Sequence, residues 1–143
     1  MKSLISALAV MVLLGVLISP VYGQRAVEPS DLKISPTRYR NSSIVIKDSY
    51  FNYRTGIPPS LTAAGYNLDR YIAFGLREAG IWCFLRRTTE NEELIGKLEN
   101  GDRITIRGTV RQPKARVERG RFTETRKFDM YLLEAGQVHL GWE

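Results

Sequence analysis

The chain has 143 residues, a formal net charge of +6, one cysteine and one histidine. A single cysteine leaves no internal disulfide, and one cysteine with one histidine forms no Cys/His cluster of metal-binding spacing. No glycine-rich phosphate loop and no serine in a nucleophile elbow occurs, so an enzyme is not expected.

The first segment reads as a leader. Met1-Lys2 is a short positive start, and 4–18 is almost wholly apolar. Val21-Tyr22-Gly23 then offers residues a signal peptidase accepts, which predicts a signal peptide over 1–23 cleaved after Gly23. The apolar run falls short of the roughly 20 residues a membrane span needs. No cysteine follows it to carry a lipid. The expected location is therefore periplasmic or extracellular, with no stable membrane span after cleavage. The remaining residues, 24–143, carry a net charge of +5. That balance suits an acidic partner: an anionic envelope polymer, a membrane surface, an acidic protein or nucleic acid.

Residues 24–43 are polar, contain two prolines and show little periodicity. They are expected as an extended N-terminal arm. The domain proper, 44–143, opens on "IVIKDSYFNY" (44–53), whose β-branched and aromatic residues predict a first strand. Residues 54–69 are a long connection with Gly56, Pro58, Pro59 and Gly65, and a short helical turn at 60–64. "RYIAFGLRE" and "IWCFLRR" form a β-hairpin about a turn at Glu78-Ala79-Gly80. Ile72, Phe74, Leu76, Ile81, Cys83 and Leu85 point inward, with Tyr71, Trp82, Phe84 and Arg86 outward. Cys83 lies among apolar neighbours and is expected to be buried and inert.

"TTENEELIGKLENG" predicts a helix of about ten residues. Thr89 and Glu92 match a capping box. Leu94, Ile95 and Leu98 share a face, and Asn100-Gly101 ends it. In "DRITIRGTVRQ", Ile104, Ile106 and Val110 point inward, and Gly108 breaks that row, the mark of a bend or a close backbone contact. "KFDMYLLEAGQV" supplies the last strand, with Phe128, Met130 and Leu132 inward.

The segment "LIGKLENGDRITIRGTV" resembles the helix-to-fourth-strand passage of OB-fold (oligonucleotide/oligosaccharide-binding fold) domains. The likeness spans about 44–135. It implies an all-β fold: a five-stranded Greek-key barrel with one helix between strands three and four. With the leader, it points to OB-fold domains of exported bacterial type. The glycine-rich, acidic second and third strands of such proteins are not present, so no subfamily is assigned.

Seven basic residues lie between Arg111 and Lys127, against Glu118 and Glu124 only. A turn at Arg119-Gly120 is expected, with a bulge near Pro113 to bring Val110 into phase with Phe128. In OB-folds this hairpin, the first connection and the face of strands two and three flank the ligand groove. The resemblance implies a groove with Arg77, Trp82, Arg86 and Tyr71 on one side and Arg116, Arg119, Arg121 and Phe122 on the other. Tyr53 and Tyr66 lie nearby. Arginine beside flat aromatics suits phosphate and base, or acidic sugars. The alternative is that a charged hairpin is only a solvated face that resists edge-to-edge pairing.

The expected function is a monomeric, exported, non-enzymatic binding module for an anionic polymer or envelope protein. The alternatives are a protein-interaction subunit of a cell-envelope assembly and a binder of single-stranded nucleic acid. No cofactor and no metal is expected. His139, Asp48, Asp69, Asp102 and Asp129 form no motif along the chain.

Overall fold

The computed structural model describes residues 24–52 and 56–142. The expected signal peptide lies outside the described residues, as does Tyr53. Long β-branched runs alternate with glycine-bearing turns, and strand is the commonest element of the described chain. In order come β1 (Arg25–Val27), α1 (Pro29–Ile34), a 3-10 turn (Pro36–Tyr39), β2 (Ser43–Phe51) and α2 (Pro59–Ala63). After these follow β3 (Tyr71–Leu76), β4 (Ile81–Arg86), α3 (Thr89–Gly96), β5 (Arg103–Arg111), β6 (Lys114–Arg119), β7 (Phe122–Lys127) and β8 (Leu132–Leu140).

Five of these strands close a barrel. The order runs β2-β3-β4-β8-β5, and β5 pairs back on β2. All neighbours are antiparallel except β4 and β8, which are parallel. That is the OB-type Greek key, with α3 between its third and fourth strands. The interior holds the predicted alternation: Ile44, Ile46, Phe74, Leu76, Cys83, Leu85, Ile104, Ile106 and Val110 are all buried. Ile95 joins this core from α3, with Leu94 and Leu98 packed against it. The helix has only eight residues, so its burial on the barrel, not propensity, holds it.

Two local expectations shift. The cap of α3 is Thr88, not Thr89: Thr88 has extended backbone, and its hydroxyl accepts the Asn91 N–H at 3.1 Å. Glu92 does not reach back to close a box. It pairs instead with Arg87 at 3.0 Å. The last strand also keeps a different phase. Leu133, Ala135 and Val138 face the core, whereas Leu132 and Met130 pack in a separate cluster. A register shift at Arg107/Gly108 leaves Gly136 unpaired, since Arg107 faces Gln137 and Gly108 faces Ala135. One extra residue reverses which side chains point inward. The bulge therefore lies here, and not near Pro113.

Gly108 earns its place at this bulge. A Cβ there would sit 2.5 Å from the Glu134 carbonyl oxygen and 3.1 Å from the Ala135 Cα. The close backbone contact expected from the sequence is the β5–β8 seam.

Residues 24–43 are not an extended arm. β1 lies parallel on β2, with Arg25, Ala26 and Val27 beside Ile44, Val45 and Ile46. Pro29 opens α1 at a position that needs no N–H. Val27, Leu32 and Tyr39 are buried in the barrel's own core cluster. Arg25 lies 5.6 Å from the centre of the Tyr39 ring, and Thr37 hydrogen-bonds the Tyr131 hydroxyl at 3.0 Å. The polar composition hid three apolar residues spaced too irregularly to show a period.

Candidate binding surface

The outer face of β3 and β4 would be the ligand platform on the OB-fold analogy. Here the chain covers it. Leu61 on α2 and Phe84 on β4 are fully buried together with Leu132, and Ile57, Tyr66, Tyr71, Trp82 and Met130 pack around them. Trp82 stacks on Phe84 at 6.2 Å, and Tyr66 lies 5.0 Å from the same ring. Ser60 donates to the Met130 sulfur at 3.5 Å. Phe84, expected to face outward into solvent, is thus the centre of a second core. Trp82 is a half-buried member of that core.

Open space lies next to this cover. A concavity of about 550 Å³ sits against the outer side of β5 and β8, lined by Tyr71, Arg86, Arg107, Arg111, Glu134 and Gly136 among others. The β5 arginines alternate outward by strand period. Arg111 pairs with Glu134 at 3.3 Å and donates to the Asn41 side-chain oxygen at 3.1 Å. Arg107 donates to the Gln24 side chain. Tyr66 borders Glu134. Burial first, then the Glu134 and Tyr71 charges, push its hydroxyl up to about 12 against the lowering pull of Arg111. A phenol held neutral in the fold but free to ionise at 10 when unfolded adds stability fully present below pH 10. That stability fades as pH rises through about 12. Alkaline unfolding followed by circular dichroism is expected to show this loss, and Tyr66→Phe to flatten it.

The basic hairpin is its own two-stranded sheet, β6 on β7, and shares no ladder with the barrel. Its register pairs Lys114 with Lys127 and Arg119 with Phe122. The turn is therefore Gly120-Arg121, one residue later than expected, with Gly120 at φ 63. Glycine takes that conformation without strain. Pairs directly opposite share a face. One face carries Lys114, Lys127, Arg116 and Glu118; the other carries Ala115, Arg126, Glu124, Arg119 and Phe122. The arginines grouped by the sequence are thus split, with Arg116 on one face, Arg119 on the other and Arg121 in the turn. Phe122 is 79% exposed, and every residue of β7 is exposed. Among the described residues two ion pairs form, and neither includes a hairpin residue.

The eight predicted site residues therefore divide. Tyr71 and Arg86 line the concavity; Arg116, Arg119, Arg121 and Phe122 lie on the hairpin; Trp82 is packed away. Arg77 sits in the β3–β4 turn, where its N–H donates to the Ser49 carbonyl at 3.0 Å. Arg86 is opposite Tyr71 at the far end of that hairpin, so Arg77 stands apart from the others. Reading by residue missed Arg40, Arg107 and Arg111. Arg107 and Arg111 were visible as the outward row of a strand, but the groove was expected over a different pair of strands. Cys83 is fully buried, and burial, then the Asp48 charge, push its thiol well up. That fits the inert thiol expected. Among the described residues no group of three or more His, Cys, Asp or Glu side chains gathers as a metal site.

No family model matches the chain, and no curated protein matches it. Solved structures do. A protein described as an aspartyl-tRNA synthetase from Leishmania major Friedlin matches with a TM-score of 0.51 at 13% identity, over 83% of this chain and 21% of that one. An OBody bound to hen egg-white lysozyme gives 0.47 at 14% identity, over 80% of this chain and 90% of its own. A second such OBody gives 0.42 at 13%, over 72% and 84%. This chain thus corresponds to about a fifth of the synthetase, as its 21% coverage states. At that identity the likeness to the synthetase establishes the fold, and with the strand order it makes this chain an OB-like five-stranded barrel.

Proposed function

We propose that this protein is an exported, non-enzymatic, monomeric module that binds a polyanion along its basic hairpin and the adjoining arginine-lined concavity. One observation carries the reading: cations gather from the concavity to the hairpin root and then onto both faces of the ribbon. Arg111 lines the concavity and holds Asn41. Asn41 borders Arg40, Lys114 and Lys127 at the hairpin root. Arg116 follows on the same hairpin face, ahead of Glu118, while Arg119, Arg126 and Phe122 lie on the other face and Arg121 in the turn. Six ladder pairs at about 3.3 Å per residue make the ribbon roughly 20 Å long, several repeats of an extended polymer. A solvated face that only resists aggregation needs charge, but not three cations that form no ion pair among the described residues, gathered around one small cavity at its root. Export rests on the leader-like sequence at 1–23, and it favours an envelope polymer over nucleic acid as the natural ligand.

The test is retention on heparin or single-stranded DNA resin as a function of salt. Wild type is expected to elute with a steep salt dependence. Arg116→Gln, Arg119→Gln and Arg121→Gln together are expected to lower the logarithmic slope by about 2–3, since each neutralised phosphate contributes roughly 0.7–0.9. Wild-type retention that ignores salt would overturn the reading.

One observation favours a second reading, docking to an envelope protein. β1 ends the sheet order, so its outer edge has no strand partner among the described residues, the arrangement that strand addition uses. A protein that co-purifies independently of salt and is lost when 24–28 are deleted would support it.

A further inference from the structure

We infer that the root of the basic hairpin is a discrete subsite for one tetrahedral oxyanion, the phosphate or sulfate group of the bound polymer; this rests on the polyanion reading above. The cavity there is small, about 130 Å³, and is lined by Arg40, Asn41, Gln112, Lys114 and Lys127. Three of its five lining residues are cations and none is an acid.

The chemistry of the two amides sharpens this. Gln112 uses its side-chain oxygen on Arg40 at 3.2 Å and its side-chain nitrogen on the Phe128 carbonyl at 3.0 Å. Asn41 uses its side-chain oxygen on Arg111 at 3.1 Å. Both amide oxygens are therefore occupied by arginines. The lining side chains are left with donors: the remaining guanidinium N–H groups of Arg40, the Asn41 amide nitrogen and two ammonium groups. A cavity lined by three cations and two amides whose oxygens already accept from arginines suits a fully ionised oxyanion, which accepts from every side.

The backbone holds these groups in place. Asn41 sits at φ 62, in the left-handed region that asparagine tolerates better than most residues. Its N–H donates to the Val110 carbonyl at 2.7 Å, which fixes the end of the folded N-terminal segment against β5. Arg40 is thereby brought to the hairpin from far away in the chain. The Phe128 N–H donates to the Pro113 carbonyl at 3.0 Å. Hydrogen-bonded and non-bonded pairs alternate, so the next pair, Lys114 with Lys127, is the close kind, with Cα atoms about 4.5 Å apart. Like charges directly opposite destabilise a ladder. Among the described residues neither lysine forms an ion pair, whereas a bound oxyanion would offset the repulsion.

The inference predicts opposite signs for stability and binding. Lys114→Gln with Lys127→Gln is expected to raise the melting temperature in sodium chloride. The same double variant is expected to abolish saturable amide shifts at Asn41, Lys114 and Lys127 when sodium phosphate replaces chloride at equal ionic strength. Phosphate also stabilises proteins generally by exclusion, so the site's own effect is the wild-type stabilisation in excess of the variant's.

Polymer binding then separates the sources. On single-stranded oligothymidylate and on heparin, the double variant is expected to lower the salt slope by about one. Loss on oligothymidylate alone assigns a phosphodiester, and loss on heparin alone a sulfate ester. Lys114→Arg with Lys127→Arg is expected to keep the slope. If the glutamine double variant binds both polymers like wild type, while the Arg116, Arg119 and Arg121 triple variant weakens them, the subsite is overturned and the polyanion reading stands. If neither variant changes binding, both fall.

Discussion

Asp48→Ala is expected to unfold the domain or lower its stability by at least about 3 kcal/mol, the scale of leaving three backbone donors without a charged acceptor. Asp48 is 1% exposed and sits on β2 with its carboxylate turned toward the β3–β4 turn. One oxygen accepts the Ser49 N–H at 2.6 Å and the Glu78 N–H at 3.1 Å, and the other accepts the Ala79 N–H at 2.9 Å. One side chain therefore satisfies three backbone donors, one on β2 itself and two in the β3–β4 turn. Hydrogen bonds to a charged group contribute about 1.5–3 kcal/mol each, and buried donors left without acceptors cost more than the bonds returned. Asp48→Asn keeps the shape but turns one acceptor into a donor facing an N–H. It is expected to recover less than half of the loss. Urea unfolding followed by tryptophan fluorescence measures both. A loss under 1 kcal/mol for the alanine variant would show that water replaces the carboxylate and that the clamp is not structural.

Gly108→Ala carries the second large effect, in the direction opposite to the usual gain from replacing a strand glycine. In an open strand alanine would add rigidity and stability. At this position the new methyl would meet a backbone carbonyl oxygen at 2.5 Å, and a backbone cannot rotate away as a side chain can. The β5–β8 seam must part, and with it the ladder that joins Val110 to Leu133 and Ile106 to Val138. The expected loss is about 2–4 kcal/mol, at or above the upper range for overpacked interiors. Gly136→Ala is the control. Its Cβ would lie 3.6 Å from the Arg107 carbonyl, an ordinary contact, so a near-neutral result is expected. Equal losses at both positions would refute the steric account.

Most of the barrel was legible in the sequence because its signals are local. Strand alternation, turn glycines and a capped helix each occupy fewer than about a dozen neighbouring residues, and the order of five strands and one helix restricts the topology. What was not legible depends on residues far apart. Phe84 alternates as an outward residue on β4, and nothing near it in the chain announces that Leu61 folds back over it. The phase of β8 was not legible because Leu132 and Met130 pack in the second cluster with Leu61 and Phe84, and because Gly136, the extra residue, looks in sequence like any strand glycine. The N-terminal segment contributes Val27, Leu32 and Tyr39 to a core that its own composition cannot reveal. In the hairpin, Arg119-Gly120 and Gly120-Arg121 are equally good turns by residue type, and only the pairing of Lys114 with Lys127 decides between them. The basic composition of the surface was plain from the start; which cations stand side by side was not.

The separate sheet of β6 and β7 has a consequence for how such a molecule diversifies. Because the ribbon adds no rung to the cylinder, exchanging its sequence or lengthening it leaves every barrel ladder in place. Descendants of this scaffold can therefore acquire new recognition by editing the appendage alone, and a transplanted ribbon should carry its preference to another cylinder of the same kind.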